Sequence, residues 1–411
     1  MKKLLQTSAS TALLDQGMVS GINLLVTVLL GRTLGLEGFG EYAFGWMIVL
    51  LASSLHQAIL LTPMKSLAPQ QKSLARYFAG TVQLQAVCML IAFPAMWLAA
   101  SLLDLSIAFP LAAVAFLSQE YMRRRAYVAN KANRAFILDI IAYGSWLTGL
   151  VALAWAGQLT VETAYYSLAV SFGLSALLGM VQSDFSAAKL FAPAFGNVWK
   201  LHWNFGAWLT GTAILQYFAG NAFLLAAGLL LGNAALGLIR AIQTLMGVLH
   251  VFLLAAEHIV PVKAAAQYAL HGSNGLEQYL KALASKVAIP TVLLLAIVAA
   301  FGEQMLTGIF NITQPINAGL IPLFVISYLG TVASFPLRIA LRSVAHTRPF
   351  FIAYILSAGL GLLLAKPLIA TIGITGVPAG FILSQAITFG CLYFSWKHFT
   401  YNQSSPQLFN N

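Results

Sequence analysis

The sequence predicts an all-α polytopic membrane protein, with twelve transmembrane helices in two six-helix lobes related by a pseudo-twofold axis along the membrane normal. Three observations carry that expectation. Of the 411 residues, 60% are hydrophobic and only 8% are charged, with a mean hydropathy of +0.83, whereas a soluble domain carries about a quarter charged residues. Apolar segments long enough for a ~30 Å hydrocarbon layer recur along the whole chain. The pattern of the first half also returns in the second at a nearly fixed offset.

The apolar spans of the first half run 13–30, 41–62, 79–102, 106–122, 136–156 and 163–182. The first follows Lys2 and Lys3 but is interrupted by Asp15, Gln16 and Asn23, and no small-residue cleavage site follows it. It therefore reads as a membrane helix and not as a cleaved signal. The hydrophilic stretch 183–203 reads as a cytoplasmic linker between an N-terminal lobe, 1–182, and a C-terminal lobe, 204–411, that ends in a short polar tail. The linker's tail, Val198 to Trp203, mixes aromatic and basic residues as an interfacial helix end does. The spans of the second half run 204–227, 235–260, 284–302, 318–338, 350–365 and 374–395. Gly and Pro interrupt many spans, which membrane helices tolerate when neighbours resatisfy the backbone.

Positive charge sets the orientation. With a cytoplasmic N-terminus, every lysine and arginine except Arg32, Arg240 and Lys366 falls in an inside segment, which predicts N-in and C-in. The formal charge of +11 is spread over these short loops. It reads as topology determinants beside anionic lipid, with no nucleic-acid partner. Cys88 and Cys391 both lie in apolar spans, so no disulfide framework and no metal site are indicated.

Gly31, Gly35 and Gly40 after the first span match Gly228, Gly232 and Gly237 after the seventh at an offset of 197. Asn23 and Asn221, Pro63 and Pro261, and Lys65 and Lys263 are offset by 198. An even number of helices per half gives both halves one orientation, the plan of parallel-repeat transporters with a cargo site between the halves.

Arg240 stands inside the eighth span. A guanidinium in a bilayer span costs about 2.5–3.5 kcal/mol on insertion scales unless it faces a wet cavity or an anionic partner. Gln243, Thr244, Gly247, His250 and His258 share its helix face over roughly 120° and make that face a cavity lining. On the first helix Gln16, Ser20, Asn23 and Thr27 fall within about 60° of one another, a polar stripe that fits either cavity lining or helix–helix hydrogen bonding. Asn221 is its counterpart in the second half. Asp15 and Glu257 are expected at the cavity mouth as proton or sodium sites, whereas Glu120 and Asp139 have Arg123 to Arg125 and Arg134 nearby and read as ordinary ion pairs. His56 and His250 titrate near neutrality if they are accessible. Arg32 and Glu41 flank the outer turn between helices 1 and 2, where an ion pair accounts for them.

No paired-carboxylate motif on an accessible loop, Cys/His metal spacing, phosphate-binding glycine loop or dinucleotide fingerprint occurs. The sequence thus predicts a non-enzyme with no cofactor, driven by an ion gradient, the membrane potential or removal of product.

The stretch Leu14-Asp15-Gln16-Gly17-Met18-Val19-Ser20-Gly21-Ile22-Asn23 resembles the opening of Wzx-type polysaccharide flippases of the multidrug/oligosaccharidyl-lipid/polysaccharide (MOP) exporter superfamily. Gly31 to Tyr42 is similar to that superfamily's "RxLGxxxFGxY" turn, and Gln119 to Arg125 is similar to one of its inner segments. Leu238 to Gln243 occupies the place where such proteins carry a cavity arginine. The resemblance implies two MATE-like lobes around a central cavity in the bacterial inner membrane. It further implies flipping of undecaprenyl-diphosphate-linked oligosaccharide to the periplasmic leaflet for surface polysaccharide biosynthesis, whether O-antigen of lipopolysaccharide, capsule or exopolysaccharide. Membrane lipids and the polysaccharide polymerase machinery are the further partners it implies, with H+ or Na+ left open as coupling ion. In that reading Arg240 binds the diphosphate and the helix 1 stripe of Gln16, Ser20, Asn23 and Thr27 contacts glycan, with Gln243, Thr244, His250 and Asn221 as further substrate-binding residues. Asp15, Glu257, His56 and Arg32 serve ion coupling or gating. The alternatives are a MATE-type drug or cation antiporter, which wants an acidic cavity, and an integral-membrane glycan polymerase or ligase, which wants a sizeable outside loop.

Overall fold

The computed structural model describes residues 2–183 and 194–404, with side chains described outside 2–10, 12–13, 248–259, 262 and 402–404. Twelve helices run through the described residues. The first helical run, Lys2–His56, is broken at Gly35, where φ is 67° and ψ is −179°. Almost only glycine occupies that region, so the break separates α1 (2–34) from α2 (36–67). Helix α2 contains a π-helical turn at Gln57–Leu61 before Pro63. Then follow α3 (Leu74–Leu102), α4 (Ala108–Val128), α5 (132–155, with a π-helical turn at Ile140–Gly144) and α6 (Val161–Gln182). Helix α7 spans Phe195–Leu231. The run Asn233–Phe310 is broken at Gly272 (φ 63°, ψ −158°) into α8 (233–271) and α9 (273–310). Helices α10 (Leu320–Ser343), α11 (Arg348–Ile372) and α12 (Gly376–Ser404) complete the chain.

Two compact units emerge, Met1–Ile214 and Leu215–Asn411. In the first, α4 packs most closely on α6, and the core gathers Leu60, Met64, Tyr77, Leu84, Tyr121 and Val198. In the second, α10 packs on both α12 and the α8–α9 run, around Leu276, Phe335, Ile339, Leu392 and Trp396. Large apolar side chains such as Leu90, Trp97, Leu362 and Phe394 are exposed, as a hydrocarbon surround permits.

The stretch expected as a linker, 183–203, is helical from Phe195 onward, and the division between units falls inside α7 instead of before it. Residues 184–193 lie outside the described residues. The reason is local. Val198 joins the first unit's core, and Gly206 packs so tightly that an added Cβ would lie 2.7 Å from the Ala58 carbonyl oxygen. His202, fully buried, accepts from the Tyr77 hydroxyl at Nε2 (2.7 Å) and donates from Nδ1 to the Ile59 carbonyl (3.2 Å). Pro63 lacks the N–H that would serve that carbonyl in a regular helix, so the imidazole supplies the missing donor.

Candidate functional site: an intramembrane arginine and a separate charge hub

Helix α8 begins at Asn233, after Gly232 (φ 85°, ψ 177°), and carries Arg240 two turns in. Leu236, Ile239, Ala241, Ile242, Leu245 and Met246 are buried, while Arg240, Gln243, Thr244 and Gly247 are only partly covered. The polar stripe expected on this helix is therefore present over its described part. Arg240 Nη1 donates to Gln243 Oε1 at 3.2 Å, and the Thr244 hydroxyl donates to the Arg240 carbonyl at 2.8 Å. The phenols of Tyr217 on α7 and Tyr328 on α10 lie within electrostatic reach of the guanidinium. No described carboxylate lies within ion-pair distance of Arg240. Its charge is thus framed by neutral oxygen-bearing groups, and its planar guanidinium has donors left for two oxygens of an anion such as phosphate. Asn221 donates its amide to the Tyr217 carbonyl at 2.9 Å and is partly buried beside this group. The side chains of His250, Glu257 and His258 lie outside the described residues.

On α1, Val19, Val26 and Leu30 are buried, and the polar stripe borders that face. Gln16 is exposed, while Ser20, Asn23 and Thr27 are half-buried. Gln16 Nε2 reaches Ser20 Oγ at 3.5 Å, and Thr27 satisfies its hydroxyl on the Asn23 carbonyl at 2.7 Å.

Asp15 corrects an expectation. It does not open onto a cavity mouth but is fully buried within the first unit, on Arg123. Arg123 Nη2 contacts Asp15 Oδ2 at 3.0 Å, its Nη1 contacts Glu120 Oε1 at 3.1 Å, and its Nε lies 2.5 Å from Asp139 Oδ2. Three carboxylates from α4, α1 and α5 therefore converge on one guanidinium. Tyr127 donates to Asp15 Oδ2 at 2.6 Å, and Gln119 donates to Asp139 Oδ1 at 2.7 Å. Arg124 stands 3.7 Å from Glu120 Oε2 and is more exposed. Arg134, expected near these acids, instead donates to the Gln182 carbonyl.

His56 is likewise not on an open face. It is buried at 4% exposure and pairs with Gln85 Oε1 at 2.6 Å. Arg32 is exposed near the end of α1. Sequence reasoning missed Arg123 as a hub, Tyr217 and Tyr328 beside Arg240, and the buried His202. The pairing of Glu120 and Asp139 with nearby arginines was expected, the Glu120–Arg123 contact because residues three apart on a helix are neighbours, whereas the arrival of Asp15 was not.

No family model matches the sequence, and no curated protein does. Solved structures do. An inward-facing multidrug resistance MATE family transporter of the MOP superfamily matches with a TM-score of 0.74, covering 93% of this chain and 96% of that one at 13% identity. Lipid II flippase MurJ, in an inward closed conformation, matches at 0.68, covering 93% and 87% at 12% identity. A MOP superfamily transporter from Pyrococcus furiosus, described as having a binding pocket of reverse polarity that suggests a different function, matches at 0.62, covering 97% and 96% at 14% identity.

The chain has the MOP-superfamily transporter fold.

The twelve helices of the described residues match the predicted apolar spans, and eight helical runs among them are long and apolar enough to cross a membrane. Multidrug transporters and a lipid flippase both adopt the MOP fold, so the fold leaves the cargo to be argued from side chains.

Proposed function

We propose that this protein flips an undecaprenyl-diphosphate-linked oligosaccharide from the cytoplasmic to the periplasmic leaflet of the bacterial inner membrane, as Wzx-type flippases do. The reading rests on Arg240. A bare diphosphate in hydrocarbon is prohibitively costly, and Arg240 is an intramembrane cation that no described carboxylate neutralises. Tyr217, Tyr328 and Gln243 around it are hydrogen-bonding groups suited to phosphate oxygens and sugar hydroxyls. Thr244 and His250 extend that face, while Gln16, Ser20, Asn23, Thr27 and Asn221 are assigned to the glycan. Polyprenyl tail and membrane lipid share the hydrocarbon, and rocking of two lobes supplies alternating access.

Ion coupling is assigned to Asp15. Its carboxylate shares a single buried guanidinium with Glu120 and Asp139, an excess of negative charge that a proton or Na+ would balance. His56, Glu257 and Arg32 are the proposed gating positions.

A drug or cation antiporter of the same fold is the second reading. It calls for free intramembrane acids, and the buried acids described in the first unit are instead held on Arg123. The deciding experiment deletes the gene and complements it with wild type or Arg240→Ala. Loss of surface glycan, with lipid-linked oligosaccharide accumulating on the inner leaflet, is the expected result for the deletion and for the variant. Normal surface glycan from Arg240→Ala would remove the arginine from the mechanism. Restored resistance to cationic drugs without any change in glycan would favour the antiporter.

A further inference from the structure

At the end of the first unit that the lysine and arginine bias assigns to the cytoplasm, a cavity of about 350 Å3 opens between the start of α3, the end of α4, the start of α5 and the end of α6. Its wall is apolar, built chiefly from Leu74, Phe78, Met122 and Leu138, with Ala126 and Ala129 leaving room beside them. Its rim carries Arg125, Lys131 and Arg134, and no carboxylate is among the lining residues.

Arg125 is not a loose surface side chain. It is 6% exposed, lies 4.9 Å over the Phe78 ring, and donates to both the hydroxyl and the carbonyl of Ser183 at 3.0 Å. Arg134 donates through one nitrogen to the Gln182 carbonyl. These bonds close the C-terminal end of α6, whose last carbonyls have no partner in the helix. They also leave each guanidinium with further N–H donors, since it has five, and Lys131 is exposed beside them.

Three cations gathered with no acid among the described lining residues repel one another and stabilise an anion placed between them. A wall of apolar side chains directly beneath favours a hydrocarbon chain. Both demands are met at once by an amphiphile with a phosphate head at the depth of the anionic inner leaflet. The volume is at the small end of ligand pockets, ~300–1,000 Å3. It admits a phosphate head and the beginning of an acyl chain but not a multi-sugar head group.

We infer that this cavity binds an anionic phospholipid of the cytoplasmic leaflet, with its phosphate among Arg125, Lys131 and Arg134 and its first acyl segment against Phe78, Met122 and Leu138. The site lies wholly in the first unit and uses none of the residues assigned to cargo, so it stands or falls independently of the flippase reading. Bound lipid would tie the end of α6 to α3, α4 and α5 and raise the stability of this end by mass action.

The test uses the full-length protein in detergent and native mass spectrometry with added phosphatidylglycerol or phosphatidylcholine of identical acyl chains. Wild type should retain phosphatidylglycerol in preference to phosphatidylcholine. Lys131→Gln/Arg134→Gln should lower phosphatidylglycerol retention roughly thirty-fold, from two lost cation–phosphate attractions. Ala129→Phe leaves every cation in place but fills the cavity, and it should abolish the preference as well. Equal retention of the two lipids by wild type would overturn the inference. So would unchanged retention in both variants, or displacement of phosphatidylglycerol by millimolar inorganic phosphate alone.

Discussion

Asp15 on α1 and Arg123 on α4, 108 residues apart, meet at 3.0 Å in the interior of the first unit. Glu120 and Asp139 share the same guanidinium, so removing it strands three buried carboxylates. Breaking a buried pair from one side costs about 3–5 kcal/mol, and Arg123→Ala should cut the yield of monodisperse protein in fluorescence-detected size exclusion severely. Adding Asp15→Asn and Asp139→Asn to that background should recover folded protein, since two of the three stranded charges then go with the arginine and Glu120 keeps Arg124 at 3.7 Å. No recovery in the triple variant would mean that the guanidinium matters for something other than neutralising these acids.

Gly35 and Gly232 occupy equivalent places in the two halves and adopt nearly the same backbone conformation, φ 67° with ψ −179° and φ 85° with ψ 177°. Nothing lies within 4 Å of a Cβ added at either position, so the cost of a side chain there is conformational, not steric. Gly35→Ala and Gly232→Ala should each destabilise by about 1–3 kcal/mol. Gly390→Ala, in open space on α12 with ordinary helical backbone, should be neutral or stabilising. Melting temperatures of the three purified variants make the comparison.

The hydrogen bond from His202 to the Ile59 carbonyl exists because Pro63 cannot supply a donor. His202→Phe should therefore cost about 1–3 kcal/mol through an unsatisfied buried acceptor. Pro63→Ala provides a backbone N–H and should lessen the effect of His202→Phe. A double-mutant cycle on thermal stability reads the coupling, and strictly additive effects would contradict the link.

At Arg240, charge and shape separate. Arg240→Lys keeps the positive charge but loses the planar fork, while Arg240→Gln keeps hydrogen bonding and loses the charge. Flipping of a diphosphate-linked cargo by reconstituted protein should fall in the order wild type, Lys, Gln. Folding should be little affected, because the described contacts of the side chain are with neutral groups. Equal activity of the Gln and Lys variants would argue against a charge-based role.

The membrane class and the helix number were legible because each depends on short-range properties. Span length and hydropathy need no partner from elsewhere in the chain. The stripe on α8 was legible for the same reason, since helical periodicity alone puts Gln243 and Thr244 on the face of Arg240. The fate of Asp15 was not. Asp15 reads in sequence like a cavity residue, and only the approach of α1 and α5 to α4 turns it into a member of a buried ion cluster. The stretch 195–203 was similarly opaque, because its mix of aromatic and basic residues reads as an interfacial helix end and hides the burial of Val198 and His202 against α2 and α3.

The sequence by itself determined a chain of twelve apolar helical spans, where each of them lies, and where an arginine enters one of them. Hydrophobic transfer and backbone sterics are local, and a linear pattern records them. Tertiary structure alone decided that Asp15 joins Glu120 and Asp139 on Arg123, that Tyr217 and Tyr328 come within electrostatic reach of Arg240, and that α7 begins inside the first unit. Those outcomes depend on the meeting of helices far apart in the chain, and a charge or imidazole in a low-dielectric interior takes its role from whatever packing brings within about 3 Å of it.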